Sequence, residues 1–414
     1  MALDAALDQL LSRVETLSGS ESVATFDADG RVLAEDLVSG LQVPPQDNSS
    51  MDGYAVRLAD VPEKGVVLAV SQRIAAGHAG GPLQPGTCAR IFTGAPLPEG
   101  ADAVVMQEDT REIGGNLHAV HIDAVPAPGQ WVRRAGEDVT RGAVVLPRGT
   151  RLTPASLGLA AGIGMAHLRV VMRPRVALFS TGDELVMPGD VAPGDMKPGA
   201  IYNSNRFFLR SLLHRLGCEV SDLGIVPDRR SLTLAALRSA ADHHDLILTS
   251  GGVSVGEEDH IKPAVQQLGS LDLWQIGMKP GKPFAYGAVR RDAGAGADVT
   301  QPCHFIGLPG NPVSSFVTFV LLVRPFLLRL QGAQAPVLQP VMLPAHFDLP
   351  RADKRREFLR VRRNAAGGLD LFANQSSGVL TSAVWGDGLV DNPAGRTIAH
   401  GDLVPYLSFA DLLE

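Results

Sequence analysis

The chain has 414 residues, 45% of them hydrophobic and 20% charged, with a formal net charge of −7. That length gives room for about three domains with ample cores, the composition is that of a soluble globular protein, and the charge argues against a nucleic acid or an anionic membrane as partner. Cys88, Cys218 and Cys303 are far apart with no CxxC spacing, so neither a zinc site nor a disulfide framework is expected and a reducing compartment, the cytoplasm, is the default.

The chain starts MALDAALDQLLSRV, without the basic start and apolar core of a signal peptide. Leu3, Leu7, Leu10, Leu11 and Val14 instead fit one face of an amphipathic helix. Residues 43–139 are rich in Gly, Pro and Val, with short runs such as Ala103-Val104-Val105-Met106, and read as a small β domain. A mixed pattern returns over 140–173, where Thr153-Pro154 suits a helix start.

From Arg175 the rhythm changes. A strand through Val176-Ala177-Leu178-Phe179 ends in Ser180-Thr181-Gly182-Asp183-Glu184, and a helix follows over Asn205 to Leu216. The strand Val220-Leu223-Ile225 ends at Pro227-Asp228, and a helix runs from about Ser231 to His243. The apolar run Leu246-Ile247-Leu248 breaks into a glycine loop that lands on Glu257, Glu258 and Asp259. His304-Phe305-Ile306 ends in Gly307-Leu308-Pro309-Gly310-Asn311-Pro312, with a helix from Val313. This alternation implies an open, parallel-rich sheet. The apolar run Phe316 to Val323 is cut by Arg324 and Pro325, too short to span a bilayer. Short strands and turns over the last eighty or so residues predict a closing β domain.

Four polar turns thus fall at the carboxyl ends of predicted strands, where open parallel sheets bind ligands. Ser250, Gly251, Gly252, Ser254 and Gly256 offer backbone N–H groups and hydroxyls to phosphate. The carboxylates of Asp183, Glu184, Asp228 and Asp259 suit Mg²⁺, which takes a few carboxylates plus phosphate oxygens. Lys279 and Lys282 flank a Pro-Gly turn, which reads equally as a solvated hairpin or a two-pronged anion clamp. Asn311 can cap the helix that Pro312 begins, leaving its first N–H groups and the Ser314 and Ser315 hydroxyls for an anion. Strand alternation places Arg360 and Arg362 on one face, ordinarily a solvated one, although arginine suits bidentate oxyanion binding. His243-His244 closes a helix and is expected to stabilise its carboxyl end.

The motifs DNSSMDGYAVR, RIFTGAPLPEGADAVVMQE, RRAGED, FSTGDEL, TSGGVSVGEED, MKPGKPFAYG and LPGNPVSS stand in order along the chain. Together they resemble the molybdopterin molybdenumtransferases, related to the carboxyl-terminal part of gephyrin. The resemblance implies a multidomain α/β protein with four parts. These are a segmented helical and extended domain (1–45 and 140–173), an inserted β domain (46–139), a molybdopterin-binding α/β domain (174–331) and a terminal β domain (332–414).

The implied reaction converts adenylylated molybdopterin and molybdate to molybdenum cofactor and AMP, assisted by Mg²⁺. The implied assembly is a homodimer in which the α/β crevice of one subunit faces the amino-terminal domains of the other. The adenylyltransferase and cofactor-accepting apoenzymes are its implied protein partners. Asp52, Thr93, Glu184, Asp228 and Asp259 match positions used for activity, the last three also as metal ligands. Lys279, Lys282, Arg360 and Ser377 match a molybdate-binding region, and Pro309 and Pro312 match the shaping turn of LPGNP. Asn203 stands where the family usually carries Asp, Gln275 where some members carry Lys, and Val361 where Gly often follows the arginine. The competing expectations are a molybdopterin adenylyltransferase, which demands ATP, and a gephyrin-like peptide-binding scaffold.

Overall fold

The computed structural model describes residues 1–113, 118–252, 260–292, 302–334 and 339–413. The protein is a multidomain α/β structure with three six-stranded sheets.

Helix α1 (Leu3–Leu11) buries Leu3, Ala6 and Leu10, with Val14 buried just beyond it, while Leu7 and Leu11 are only half-buried. Strand β1 (Ser20–Ala24) pairs antiparallel with a strand from far down the chain, His167–Val171. The segment between them holds the first six-stranded sheet, made of β2 (Gly53–Val56), β3 (Val66–Ile74), β4 (Thr87–Ile91), β5 (Ala103–Met106), β6 (Thr110–Ile113) and β7 (Ala119–Ile122), in the order β5-β2-β4-β3-β7-β6. All its pairings are antiparallel except β3 with β4. Helix α2 (Pro154–Gly162) starts as its sequence requires: Thr153 Oγ1 accepts from Ser156 N, with Pro154 in the first turn. The strand His167–Val171 is β8.

The central sheet comprises β9 (Arg175–Thr181), β10 (Glu219–Val226), β11 (Leu246–Ser250), β12 (Gly269–Gln275), β14 (Pro283–Val289) and β15 (Cys303–Leu308), in the order β10-β9-β11-β15-β14-β12. The two-residue strand β13 (Met278–Lys279) lies outside it. The first four strands are parallel, and β14 and β12 close one edge antiparallel. The strands between its edges, β9, β11, β15 and β14, are largely buried on both faces because each face meets helices. Along β9, Val176 and Leu178 join the cluster formed with α1, α3 (Asn205–Arg215) and the helix after β15. Ala177 and Phe179 join the opposite cluster with α4 (Arg230–His243) and α5 (Ile261–Leu268). The same alternation recurs in β11, with Leu246 and Leu248 on one side and Ile247 on the other.

The helix after β15, α6, runs from Pro312 to Leu330. In the sequence its apolar run, Phe316 to Val323, is cut by Arg324 and Pro325. Instead a π-helical stretch, Phe319–Val323, carries the chain into Arg324 and Pro325 without a break. A π turn re-spaces the carbonyls, so a proline can sit in a continuing helix. The helix is long and apolar enough to cross a membrane, but 89% of its most apolar window is buried inside the protein, which makes it a core helix here.

The third sheet is built from β13, β16 (Val341–Pro344), β17 (Arg356–Arg363), β18 (Leu369–Leu371), β19 (Gly388–Asn392) and β20 (Leu403–Ser408), in the order β13-β17-β19-β20-β16 with β18 on β17. Helix α7 (Phe409–Leu413) follows. Phe358, Leu389, Leu407, Phe409 and Leu412 share the buried cluster that contains α6.

Candidate functional site

The four polar turns lie side by side, because β10, β9, β11 and β15 are adjacent and parallel. After Ser250 the chain needs glycine twice. Gly251 has φ +93°, and a Cβ there would meet the Thr181 carbonyl oxygen at 2.9 Å. Gly252 has φ +70°, and its Cβ would press on Ile261 at 2.6 Å. Both conformations disfavour a side chain. Gly251 N donates to Leu308 O at 3.0 Å, fastening this turn to the end of β15. Ser254, Gly256 and Asp259 lie outside the described residues.

Asn205, at the start of α3, ties two turns together. Its Nδ2 donates to Ser250 Oγ and to Gly310 O, both at 2.7 Å. The buried hydroxyls of Ser180 and Thr249, on neighbouring strand ends, have no protein partner among the described residues. Asn203 is buried, and its Oδ1 accepts from Arg206 N at 3.2 Å. A neutral amide at this position therefore serves the first turn of α3.

Glu184 and Asp183 are exposed, and Asp228 N approaches Asp183 Oδ1 at 3.4 Å. Asp183 and Glu184 line a cleft of about 480 Å³ with Asp195 and Lys197. Among the described residues no three His, Cys, Asp or Glu side chains gather as a metal site. The donors that are described, Glu184 and Asp228 on adjacent turns, are oxygen ligands open to water, which fits a Mg²⁺ ion that keeps part of its hydration.

A second group forms around the start of α6. Pro309 is buried, Pro312 half-buried and Ser314 buried. Asn311 sits at the cap, but its side chain makes no capping hydrogen bond, which corrects the expectation. Val313 N donates instead to the backbone carbonyl of Ser377 at 2.9 Å, bringing the Ser377 loop onto the helix start. Gly281, φ +105°, faces the same helix: a Cβ there would overlap Thr318 Oγ1 and lie 2.8 Å from Met278 Cε.

The two lysines differ. Lys282 is exposed. Lys279 is held by carboxylates, at 2.9 Å from Glu357 Oε1 and 3.2 Å from Asp353 Oδ2. The bond to Glu357, against the opposing effect of burial, holds its ammonium above the usual lysine range. A free two-lysine clamp is therefore not what this turn presents. The parallel pairing of β13 with Arg356 and Glu357 of β17 places Lys279 there.

Arg360 overturns the solvated-face expectation. It is 1% exposed, whereas Arg362 is exposed with its guanidinium 4.6 Å from the Trp385 ring. Simple alternation fails because Arg360, Val361 and the residues before them are all buried. The Arg360 guanidinium donates to Ser382 Oγ (3.1 Å), Phe358 O (3.0 Å) and, at 3.4 Å, Ser376 O. Among the described residues no carboxylate pairs with it, and burial pushes it down to about 10. A buried cation without a counter-ion is a strong anion receptor.

Asp52 and Thr93 form a unit on the first sheet. Asp52 Oδ1 accepts from both the backbone N–H and the hydroxyl of Thr93, each at 2.8 Å. The Thr93 backbone N–H, then its hydroxyl, holds the carboxyl below its usual range. Among the described residues no hydrogen bond or ion pair joins this unit to the central sheet.

The chain matches three family models in series: the MoeA N-terminal region (domain I and II) over residues 1–164, a probable molybdopterin binding domain over 177–329, and the MoeA C-terminal region (domain IV) over 342–409. It is 42% identical over 367 residues to a molybdopterin molybdenumtransferase of Haemophilus influenzae, covering 87% of this chain and 85% of that one. The chain belongs to the molybdopterin molybdenumtransferase family. A gephyrin of Dictyostelium discoideum is 32% identical over 361 residues, 80% of this chain and 49% of that protein. The crystal structure of a molybdopterin biosynthesis moeA protein from Pyrococcus horikoshii OT3 superposes with a TM-score of 0.84 at 28% identity, over 99% of this chain and 100% of that one. Family membership makes the protein a transferase of molybdenum cofactor biosynthesis.

Asp353 and Glu357, which hold Lys279, had no place in the sequence reading. The dense charge of RADKRREFLR was the available signal, but only the pairing of β13 with β17 shows which lysine it serves.

Proposed function

We propose that this protein inserts molybdate into adenylylated molybdopterin and releases AMP, as a Mg²⁺-dependent homodimer. The observation that carries the reading is Arg360, a buried guanidinium without a carboxylate partner, close to the Ser377 loop that caps the start of α6.

In this reading the turn at Ser250, Gly251 and Gly252 receives the phosphates, with Ser254 and Gly256 beyond it. Asn205 fixes that turn against Gly310, so its geometry is set before substrate arrives. Arg360, with Lys282 and Ser377, receives the molybdate dianion, and Lys279 joins once its carboxylates yield it. Pro309, Pro312 and Ser314 shape the join between the two halves. Glu184, Asp228 and Asp259 would hold Mg²⁺, which supplies charge neutralisation at the bridging phosphates of the leaving AMP. Asp52, kept ionised by Thr93, would approach from the other subunit of the dimer. The adenylyltransferase that makes the substrate and the apoenzymes that take the cofactor are the protein partners this reading requires.

The test is turnover of the purified protein with adenylylated molybdopterin, molybdate and Mg²⁺. Absence of AMP release and of active cofactor would sink the assignment. Chelation should stop turnover and added Mg²⁺ restore it. Asp259→Ala should abolish it. A monomeric mass in solution would remove the trans role of Asp52.

A further inference from the structure

The first sheet carries a basic, aromatic surface next to Asp52 and Thr93. Arg73 on β3 and Arg90 on β4 are register partners, and Arg90 is in turn the partner of Tyr54 on β2. Two arginines side by side on neighbouring strands, roughly 4.8 Å apart at the backbone, repel one another. Sheets ordinarily avoid that arrangement or neutralise it with a carboxylate. Here neither guanidinium has a carboxylate within ion-pair distance among the described residues. Arg73 is exposed and its guanidinium makes no hydrogen bond among them. Arg90 donates only to neutral acceptors, the Gly53 carbonyl at 2.9 Å and Gln107 Oε1 at 2.7 Å.

Both arginines meet the half-buried ring of Phe92, with guanidinium carbons 4.6 Å and 4.7 Å from its centroid. Arg90 also lies 5.2 Å from the Tyr54 ring. Stacking on a ring holds a guanidinium in place while leaving its edge N–H groups free for a ligand. The cluster is continuous with the Asp52 unit: Arg90 braces Gly53, the residue after Asp52, and Phe92 immediately precedes Thr93.

We propose that Arg73 and Arg90, organised by Phe92, form a binding site for a phosphate-bearing ligand, and that in the transferase this ligand is the phosphoanhydride of the adenylylated substrate. The substrate assignment rests on the transferase reading; the anion site does not. Like charges held together, with Asp52 near Arg90 but outside ion-pair distance, are relieved when a tetrahedral oxyanion accepts from both. The adjoining Asp52 carboxylate excludes an anion from its own position, so the ligand sits on the arginine side of Thr93.

The experiment uses the full chain as wild type, Arg73→Gln and Arg90→Lys, titrated with AMP, inorganic phosphate and molybdate, with thermal unfolding followed in each case. Arg73→Gln removes an exposed side chain without hydrogen bonds, so folding is retained. Without ligand its unfolding midpoint should rise, because the repulsion is gone. Its affinity for AMP and for phosphate should fall on the order of tenfold, the loss of one charge-assisted contact. KM for adenylylated molybdopterin should rise by a similar factor with kcat retained, as expected for lost uniform binding. Unchanged AMP and phosphate affinity in both variants overturns the site, as does a loss confined to molybdate. A wild type that binds AMP through these arginines yet never releases AMP from adenylylated molybdopterin removes the transferase reading and leaves the anion site standing.

Discussion

Arg360→Met tests whether the buried guanidinium is an anion receptor or a structural brace. Burial lowers Arg360 from 12.5 to about 10, and at roughly 1.4 kcal/mol per unit the charged form carries a penalty of about 3 kcal/mol in the folded state. Because the folded value of this base is depressed, the penalty is present throughout the range below 10 and relaxes only as pH rises from 10 toward 12.5. Methionine removes it. The carbonyls of Phe358 and Ser376 then lose a donor, at about 1 kcal/mol each. Ser382 Oγ keeps its own bond to Val379 O. The balance is a net gain of about 1 kcal/mol, or a rise of about 1 °C in the unfolding midpoint of a chain this long. Molybdate affinity should meanwhile fall on the order of 10- to 100-fold, the value of a charge-assisted bond in a buried site. Calorimetric unfolding and equilibrium binding of molybdate to the same preparations give both numbers. A loss of stability of about 3 kcal/mol or more would show a brace, and unchanged molybdate binding would refute the reasoning outright.

Three further outcomes follow from the same geometry. Gly281→Ala should lower stability by about 2 kcal/mol in denaturant unfolding and weaken molybdate binding, because positive φ and the overlap with Thr318 force the lysine turn off α6; a wild-type denaturation midpoint would contradict this. Glu357→Gln should tighten molybdate binding a few-fold by freeing Lys279 from a carboxylate that also repels the dianion, read by titration at low and high salt; weaker binding would show that Glu357 instead positions the lysine. Burial also pushes His304 down to about 4, with its Nδ1 2.9 Å from the Tyr286 hydroxyl. The stability tied to its neutral form is full above about 6.5 and is lost as pH falls through 4, a change of about 3 kcal/mol. His304→Gln should flatten the fall in urea midpoint between those values, and an unchanged slope would assign the acid sensitivity elsewhere.

The central sheet was legible in the sequence because strand-helix alternation and turn chemistry are local signals. Ser180, Asp228, Ser250 and Pro309 fall at or just beyond the strand ends where the pattern puts them. What was not legible depends on contacts between distant segments. Period-two alternation set Arg360 beside Arg362 on a wet face, but β17 is covered on both sides over its middle, so the first arginine is buried and the second is not. The fate of Lys279 depends on a strand pairing with residues almost eighty positions away. Asn311 was expected to cap α6 through its side chain, yet the Ser377 carbonyl takes the Val313 N–H that local sequence left open. Arg73 and Arg90 each look like an unremarkable surface cation until the parallel register of β3 and β4 sets them side by side.

In the proposed reading, the burial of α6 lets two chemically different half-sites share one reaction. Its first turn contacts the Ser377 loop on one side, while Gly310, just before it, accepts from the Asn205 amide that also holds Ser250. The phosphate half and the oxyanion half are therefore referenced to the same few residues. The body of α6 packs in one continuous cluster with the central sheet and with Phe358 and Leu389 of the third sheet. Moving either half relative to the other requires opening that cluster, and protein cores resist such displacement because they are packed like crystals. In that reading the fold would hold molybdate and substrate phosphates at a fixed separation, with motion left to the side chains that border the join. Lys279 is placed to move: its ammonium is bound by two carboxylates, and its side chain remains partly exposed. Its release would leave the buried Glu357 carboxylate without a cation beside a second anion, so the exchange proceeds only if the bound dianion offsets that cost. In the proposed reading, a lysine that changes partners on molybdate binding, on a scaffold held by the α6 cluster, is the conformational step to expect.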